Sequence, residues 1–181
     1  MKRQTFVDRK SSRPTLFSPC RKWRYTLWRE WEQDMFSITE HSVTSKLNQY
    51  VQFIGLNPST ADEFQDDPTI RRCINFAKSW GYGAFCMTNI FAWRDTDPEG
   101  MKKVEAPIGV ENCKHILSVA KDAGIVIAAW GKHGSHMGRG KRIIEIFDIA
   151  GIKLHCLKKN DDGSPAHPLY LKSTLTPIPY P

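Results

Sequence analysis

The chain has 181 residues, 40% of them hydrophobic and 25% charged, and a net charge of +7. This is the composition of one globular domain with a full-sized core, and it excludes a disordered or fibrous chain. No run approaches the ~18–20 apolar residues of a membrane span, and the opening MKRQTFVDRKSSRP lacks the apolar stretch of a signal peptide, so a cytoplasmic protein with no membrane partner is expected.

The positive charge is local. Residues 1–31 carry nine basic side chains (Lys2, Arg3, Arg9, Lys10, Arg13, Arg21, Lys22, Arg24, Arg29) against Asp8 and Glu30, while residues 32–181 balance at 17 of each sign. A basic segment over 1–19, ahead of a single domain over 20–181, fits either a polyanionic partner or a solubilising tail. The five cysteines (Cys20, Cys73, Cys86, Cys113, Cys156) contain no C-x-x-C pair. That argues for buried thiols in a reducing compartment rather than a disulfide framework or a compact zinc site. An iron–sulfur cluster held by distant cysteines stays open at this level, although no cofactor or metal is expected.

In chain order, residues 22–28 alternate as a half-buried strand, with Trp23, Tyr25 and Leu27 inward and Arg24 on the other face. Residues 50–56 read as a buried strand running into the turn Asn57-Pro58-Ser59-Thr60. A helix over about 67–80 follows, capped by Asp66 or Asp67, with Pro68 in its first turn, Ile70, Cys73, Ile74 and Ala77 on one face, and Gly81 ending it. Strand 84–91, helix 110–123 (Cys113, Leu117 and Ala120 inward) and strand 125–129 come next. A glycine-rich basic loop over 131–140, a helix near 140–150 and strand 152–157 complete the pattern, and 160–181 reads as loop. Strands alternating with helices imply an α/β fold, a mainly parallel sheet with helices on both faces in a three-layer sandwich.

Ligands of such sheets bind outside the carboxyl ends of the strands. Those positions hold Asn57, Asn89 to Arg94, Trp130 to Lys132 and, beyond the last strand, His167. Two neutral carboxamides and an imidazole suit a planar hydrogen-bonding ligand such as a nucleobase, and they suit acyl transfer poorly, which needs an activated nucleophile. No phosphate-loop or dinucleotide fingerprint is present. The segment GRGK at 138–141 opens a helix and either binds phosphate at its N-terminus or is a solvated glycine loop. His133 and His136 read as phosphate or solvent contacts, since no third metal ligand accompanies them.

The segments GLNPSTAD (55–62), DPTIRRCINFAKSWGYG (67–83), TNIFAWR (88–94) and AHPLYL (166–171) resemble the family known as domain of unknown function 1643. At one remove the chain resembles the uracil-DNA glycosylase superfamily. Gly55-Leu56-Asn57-Pro58 matches its first motif G-x-[ND]-P, Thr88-Asn89 its second-strand pair, and His167-Pro168 its late His-Pro motif. The resemblance implies the three-layer fold, with Asn57 holding or polarising the attacking water, Asn89 reading the edge of an extruded base, and His167 stabilising charge on the departing base. Gly55, Pro58 and Ser59 would shape the base pocket, and Phe64 or Tyr82 would stack on the base. Leu171, four residues after His167, would wedge into the base stack, beside Pro168.

Departures accompany the likeness. Leu169 stands where the superfamily often has Ser, and an asparagine at 57 cannot act as a general base, so Asp62 or Glu63 is the alternative for activating water. The loop residues Lys132, His133, Arg139, Lys141 and Arg142 would grip phosphates. The expected function is a monomeric DNA glycosylase-like enzyme that removes a damaged or modified pyrimidine, in base-excision repair or in defence against modified phage DNA. A base- or nucleotide-modifying transferase or hydrolase, and a non-catalytic nucleic-acid-binding module, are the alternatives.

Overall fold

The computed structural model describes residues 13–31 and 49–181; residues 1–12, the most basic part of the N-terminal segment, lie outside the described residues. The described chain forms a mixed α/β fold around a seven-stranded sheet. Its strands are β1 (Leu16–Phe17), β2 (Arg24–Glu30), β3 (Tyr50–Gly55), β4 (Ala84–Asn89), β5 (Ile125–Ala128), β6 (Leu154–Cys156) and β7 (Ile178–Tyr180). The helices are α1 (Pro68–Ser79), the short α2 (Pro98–Lys102), α3 (Asn112–Lys121) and α4 (Arg139–Ile149). Spatial order is β1-β2-β4-β3-β5-β6-β7. The four central strands run parallel, and β2 and β7 join antiparallel to β4 and β6.

Two apolar layers sandwich this sheet. Phe53, Val51, Phe85 and Met87 meet Ile70, Cys73, Ile74 and Ala77 of α1 on one face. On the other, Ile54, Val126 and Ala128 meet Ile116 of α3 and Ile143 and Phe147 of α4. Alternate residues of β3 thus feed opposite layers, and all six are buried, as a doubly covered parallel strand requires. Each large apolar side chain in these layers contributes about 1.5–3 kcal/mol.

The expected helix over 67–80 forms as α1, with Asp67 as its cap accepting from the Ile70 N–H at 2.9 Å and Pro68 at its start. Elsewhere tertiary context redirected the pattern. In α3 the buried positions are Asn112, Ile116, Val119 and Ala120, while Cys113 and Leu117 are only half-buried. Residues 160–181, read as loop, contain a 3₁₀ turn at Pro168–Tyr170 and the edge strand β7, where Pro179 is tolerated because an edge need not donate on both sides. Part of the stretch 1–19 belongs to the sheet, since β1 pairs with β2.

The largest departure is at β2. Against β1, Leu16 pairs with Thr26 and its neighbour Phe17 with Arg24, so Tyr25 is an extra residue in β2. Two steps against one break the alternation, and Arg24 turns into the protein at 2% exposure instead of facing out.

The connections leave β3 for β4 on one side and then return past β3 to β5 on the other. The carboxyl ends of β3 and β5 therefore diverge at a switch point, the place where such sheets bind ligands.

Candidate functional site

A pocket of about 570 Å³ opens at that switch point. This is the size of a small-molecule site. Its walls come from the end of β3 and the residues beyond it (Gly55, Leu56, Asn57, Ser59), from those after β5 (Ala129 to His133), from Asn89 at the end of β4, and from Ala166 to Pro168 with Tyr170 and Leu171. Arg24, Asp67, Asp95 and Asn160 also line it. Asn57, Asn89 and His167, separated by up to 110 positions (57 to 167), thus share one cavity.

The hydrogen bonds fix what each of the three presents. Asn57 donates its Nδ2 hydrogens to the carbonyls of Asp95 (2.8 Å) and Pro58 (3.2 Å). An amide has only two such hydrogens, so Asn57 offers its Oδ1 acceptor to the cavity. Asn89 is the reverse. Its Oδ1 accepts from Arg24 Nη2 at 3.3 Å, which leaves the Nδ2 donor for a ligand. Asn89 is 3% exposed, and Asn112 holds its backbone in place by donating to the carbonyls of Asn89 and Ile90. A Cβ at Gly55 would stand 2.7 Å from Asn89 Nδ2, so glycine is needed there for the amide to sit between the strand ends.

His167 stands exposed at the rim, yet the protein packed around its ring lowers its pKa below the ordinary 6.5, against the raising influence of Asp67. Its Nδ1 accepts from the Leu169 N–H at 3.4 Å. The neutral ring then carries its proton on Nε2, a donor. His133 is arranged similarly: burial and the neighbouring Lys102 lower its pKa, with Lys102 Nζ 3.0 Å from Nδ1.

Arg24 is the unusual group. Burial pushes its pKa down to about 10, partly offset by Asp67, so the guanidinium is still charged at neutral pH. Its Nη1 donates to the Ala61 carbonyl at 2.8 Å and its Nη2 to Asn89, while Nε is enclosed without a partner among the described residues. Buried Arg29, by contrast, has the Asp66 carboxylate at 2.9 Å.

Several expected residues lie elsewhere. Tyr82 is buried among the α1-side core residues at the opposite end of the sheet, near Gly124 and the start of β3, so it cannot reach the cavity. Phe64 is 68% exposed and does not line the pocket. Asp62 closes its own turn by accepting from the Phe64 and Gln65 N–H groups, and Glu63 pairs with Arg21. The carboxylates in the pocket are instead Asp67 and Asp95. Pro58 acts through its carbonyl, which accepts from Asn57 and from the Asp95 N–H.

Arg139 is 4% exposed, with Nε donating to the Ile90 carbonyl (2.8 Å) and Nη2 to Cys113 Sγ (3.0 Å). It is a structural brace and not a phosphate ligand. Lys141 and Arg142 are exposed on the first turn of α4 outside the pocket, and Arg142 pairs with Glu145. Two glycines here serve Trp130: a Cβ at Gly134 would stand 2.1 Å from its Cδ1 and one at Gly140 2.9 Å from its Nε1. Leu171 lines the pocket but packs on the α1-side core, whereas Tyr170 beside it is 90% exposed. In this loop Tyr170, and not Leu171, is the exposed side chain.

Among the described residues no group of three His, Cys, Asp or Glu could hold a metal, and no helix is long and apolar enough to cross a membrane. Fold and site together define an α/β protein with a ligand pocket at the carboxyl edge of its sheet. The chain belongs to the family described as protein of unknown function (DUF1643), whose model matches residues 24–169. No curated protein and no solved structure matches it.

Proposed function

We propose that the protein is a DNA glycosylase-like enzyme of uracil-DNA-glycosylase type that hydrolyses the N-glycosidic bond of a damaged or modified pyrimidine. One observation carries the reading: Asn57, Asn89 and His167 line one base-sized pocket, with an acceptor, a donor and a neutral imidazole donor fixed by their surroundings.

In this reading a flipped base enters between the strand ends, and Asn89 donates to it. Water held by Asn57 Oδ1 attacks C1′ of the sugar. The C1′–N1 bond breaks with its electron pair passing to the base, while the Nε2–H of His167 stabilises the charge that develops. The water's proton passes to a pocket carboxylate, Asp67 or Asp95, because an amide cannot take it. Tyr170 fills the space the base vacates. Extrusion costs a few kcal/mol, least for a damaged or mispaired base, which contributes to selectivity. Lys132, His133 and, further out, Lys141 and Arg142 contact phosphates.

The test is incubation with duplex and single-stranded DNA bearing uracil, 5-hydroxymethyluracil, modified cytosines or inosine, followed by alkaline cleavage and mass spectrometry of the released material. A free base and an abasic site are expected, lost in Asn57→Ala and His167→Ala. A folded protein that generates no abasic site on any substrate sinks the proposal, and a base exchanged rather than released marks a transferase.

A further inference from the structure

Resting on the base-excision reading, we infer that the pocket selects a cytosine-type base, read at its adjacent acceptors O2 and N3 by the Asn89 amide and the Arg24 guanidinium. A guanidinium can only donate, so the atom of Asn89 that faces Arg24 Nη2 is necessarily Oδ1. The remaining Nδ2 makes no hydrogen bond to the described protein and is not among the enclosed polar atoms, so it opens on the cavity. Asn112 pins the Asn89 backbone and bare Gly55 receives the amide. The orientation is therefore locked from two sides.

Arg24 completes a wall that only donates. It carries five N–H groups, spends two on Ala61 and Asn89 and encloses Nε, which leaves the second hydrogens of Nη1 and Nη2 for a ligand. Among the described residues no carboxylate lies within ion-pair distance of it, although it lines the pocket and is buried. The charge of Asp67, across the same pocket lining, offsets its burial only in part, and a buried charge so under-compensated is costly unless something electron-rich completes it. The ligand is the group that can do so.

Pyrimidines differ on this point. Cytosine-type bases present O2 and N3 as neighbouring acceptors, whereas uracil-type bases carry a proton on N3 and set donor against donor. The same wall also suits the reaction. The electron pair released from C1′–N1 spreads onto O2 and N3, and a cytosine-type base, with its electron-donating amino group, leaves less readily than uracil. A fixed cation at those atoms offsets that disadvantage.

The full chain should be titrated calorimetrically with cytidine, the ribonucleoside of pyrimidin-2-one, uridine and guanosine. Pyrimidin-2-one keeps O2 and N3 but lacks the amino group, so it should bind like cytidine. Uridine should bind roughly tenfold more weakly or worse, the cost of an unmade charge-assisted bond. Asn89→Asp puts an acceptor where Nδ2 stands and should reverse the order of cytidine and uridine, and Arg24→Met should erase it. The wild-type order decides the matter even if Arg24→Met does not fold. Uridine or guanosine binding as tightly as cytidine, or no binding of cytidine, overturns the inference. If the nucleoside order holds but no DNA yields an abasic site, the excision reading fails and the acceptor-edge selection stands.

Discussion

Asn57 and Asn89 lie at the ends of neighbouring parallel strands, line the same cavity, and are chemically identical. Asn57 spends its NH₂ on two carbonyls of its own loop system and turns an oxygen to the pocket. Asn89 has that oxygen taken by a buried guanidinium and turns its NH₂ to the pocket. One residue type thus presents an acceptor to the cavity on one side and a donor on the other. The difference comes wholly from the partners. A carboxamide in a site is therefore read by which of its atoms is already committed.

The strongest way to break this contrast is at Asn57. Its replacement by Ala should lower the excision rate about a hundredfold to a thousandfold, the scale seen when one positioned polar group is removed from an active site. Asn57→Asp is more telling. Chemistry alone would forecast a gain, since a carboxylate is a general base. Here the carboxylate cannot donate to the Pro58 and Asp95 carbonyls, so the variant should lose about 1–3 kcal/mol of stability by chemical denaturation and gain no rate. An increase in excision by Asn57→Asp would show that the carbonyl clamp does not set the polarity.

Gly55→Ala tests the other asparagine. The added methyl would meet Asn89 Nδ2 at 2.7 Å and displace the donor, so kcat/KM should fall about tenfold, one misplaced hydrogen bond's worth. Thermal melting separates this loss from general unfolding.

His167 sharpens the donor side through pH. Its folded pKa lies below 6.5, so the neutral Nε2–H donor is present through neutral pH, and activity should fall on an acid limb whose apparent pKa is under 6.5. The linkage has the same sign: below about 6.5 the unfolded chain takes up a proton before the folded one does. Stability is intact above that pH and declines as pH falls through the folded value. His167→Gln should remove this part of the decline in pH-dependent melting.

The smallest effect concerns phosphates. Neutralising Lys141 and Arg142 together should reduce the salt slope of DNA binding by about two if both contact phosphate, with little change at the base pocket. Arg139→Met should leave the slope alone and lower stability, because it strips a donor from the Ile90 carbonyl.

Much of this molecule is legible in its sequence, and the legible part is local. The cap Asp67, Pro68 and the spacing of Ile70, Cys73, Ile74 and Ala77 determine α1, because a cap and a 3.6-residue stripe act within one element. Continuous apolar runs determine β3 and β5, and the strand-then-turn order places Asn57, Asn89 and His167 at one end of the sheet. Tertiary structure alone decided the rest. Alternation along 22–28 sends Arg24 outward, but a bulge against β1 turns it into the pocket wall, and no window of β2 contains that information. The glycine-rich run 131–140, with GRGK at its end, looks like a phosphate loop until the indole of Trp130 occupies the space left by two of its glycines, 134 and 140. Acidic residues at 62 and 63 look as close to the site as those at 67 and 95, until the fold engages the first two in turn and surface contacts and brings the others to the cavity. Sequence determined the central strands and helices and the end of the sheet at which the candidate site lies. The polarity of each site group was decided by long-range partners, because an amide or a guanidinium acquires its role from the atoms that satisfy it.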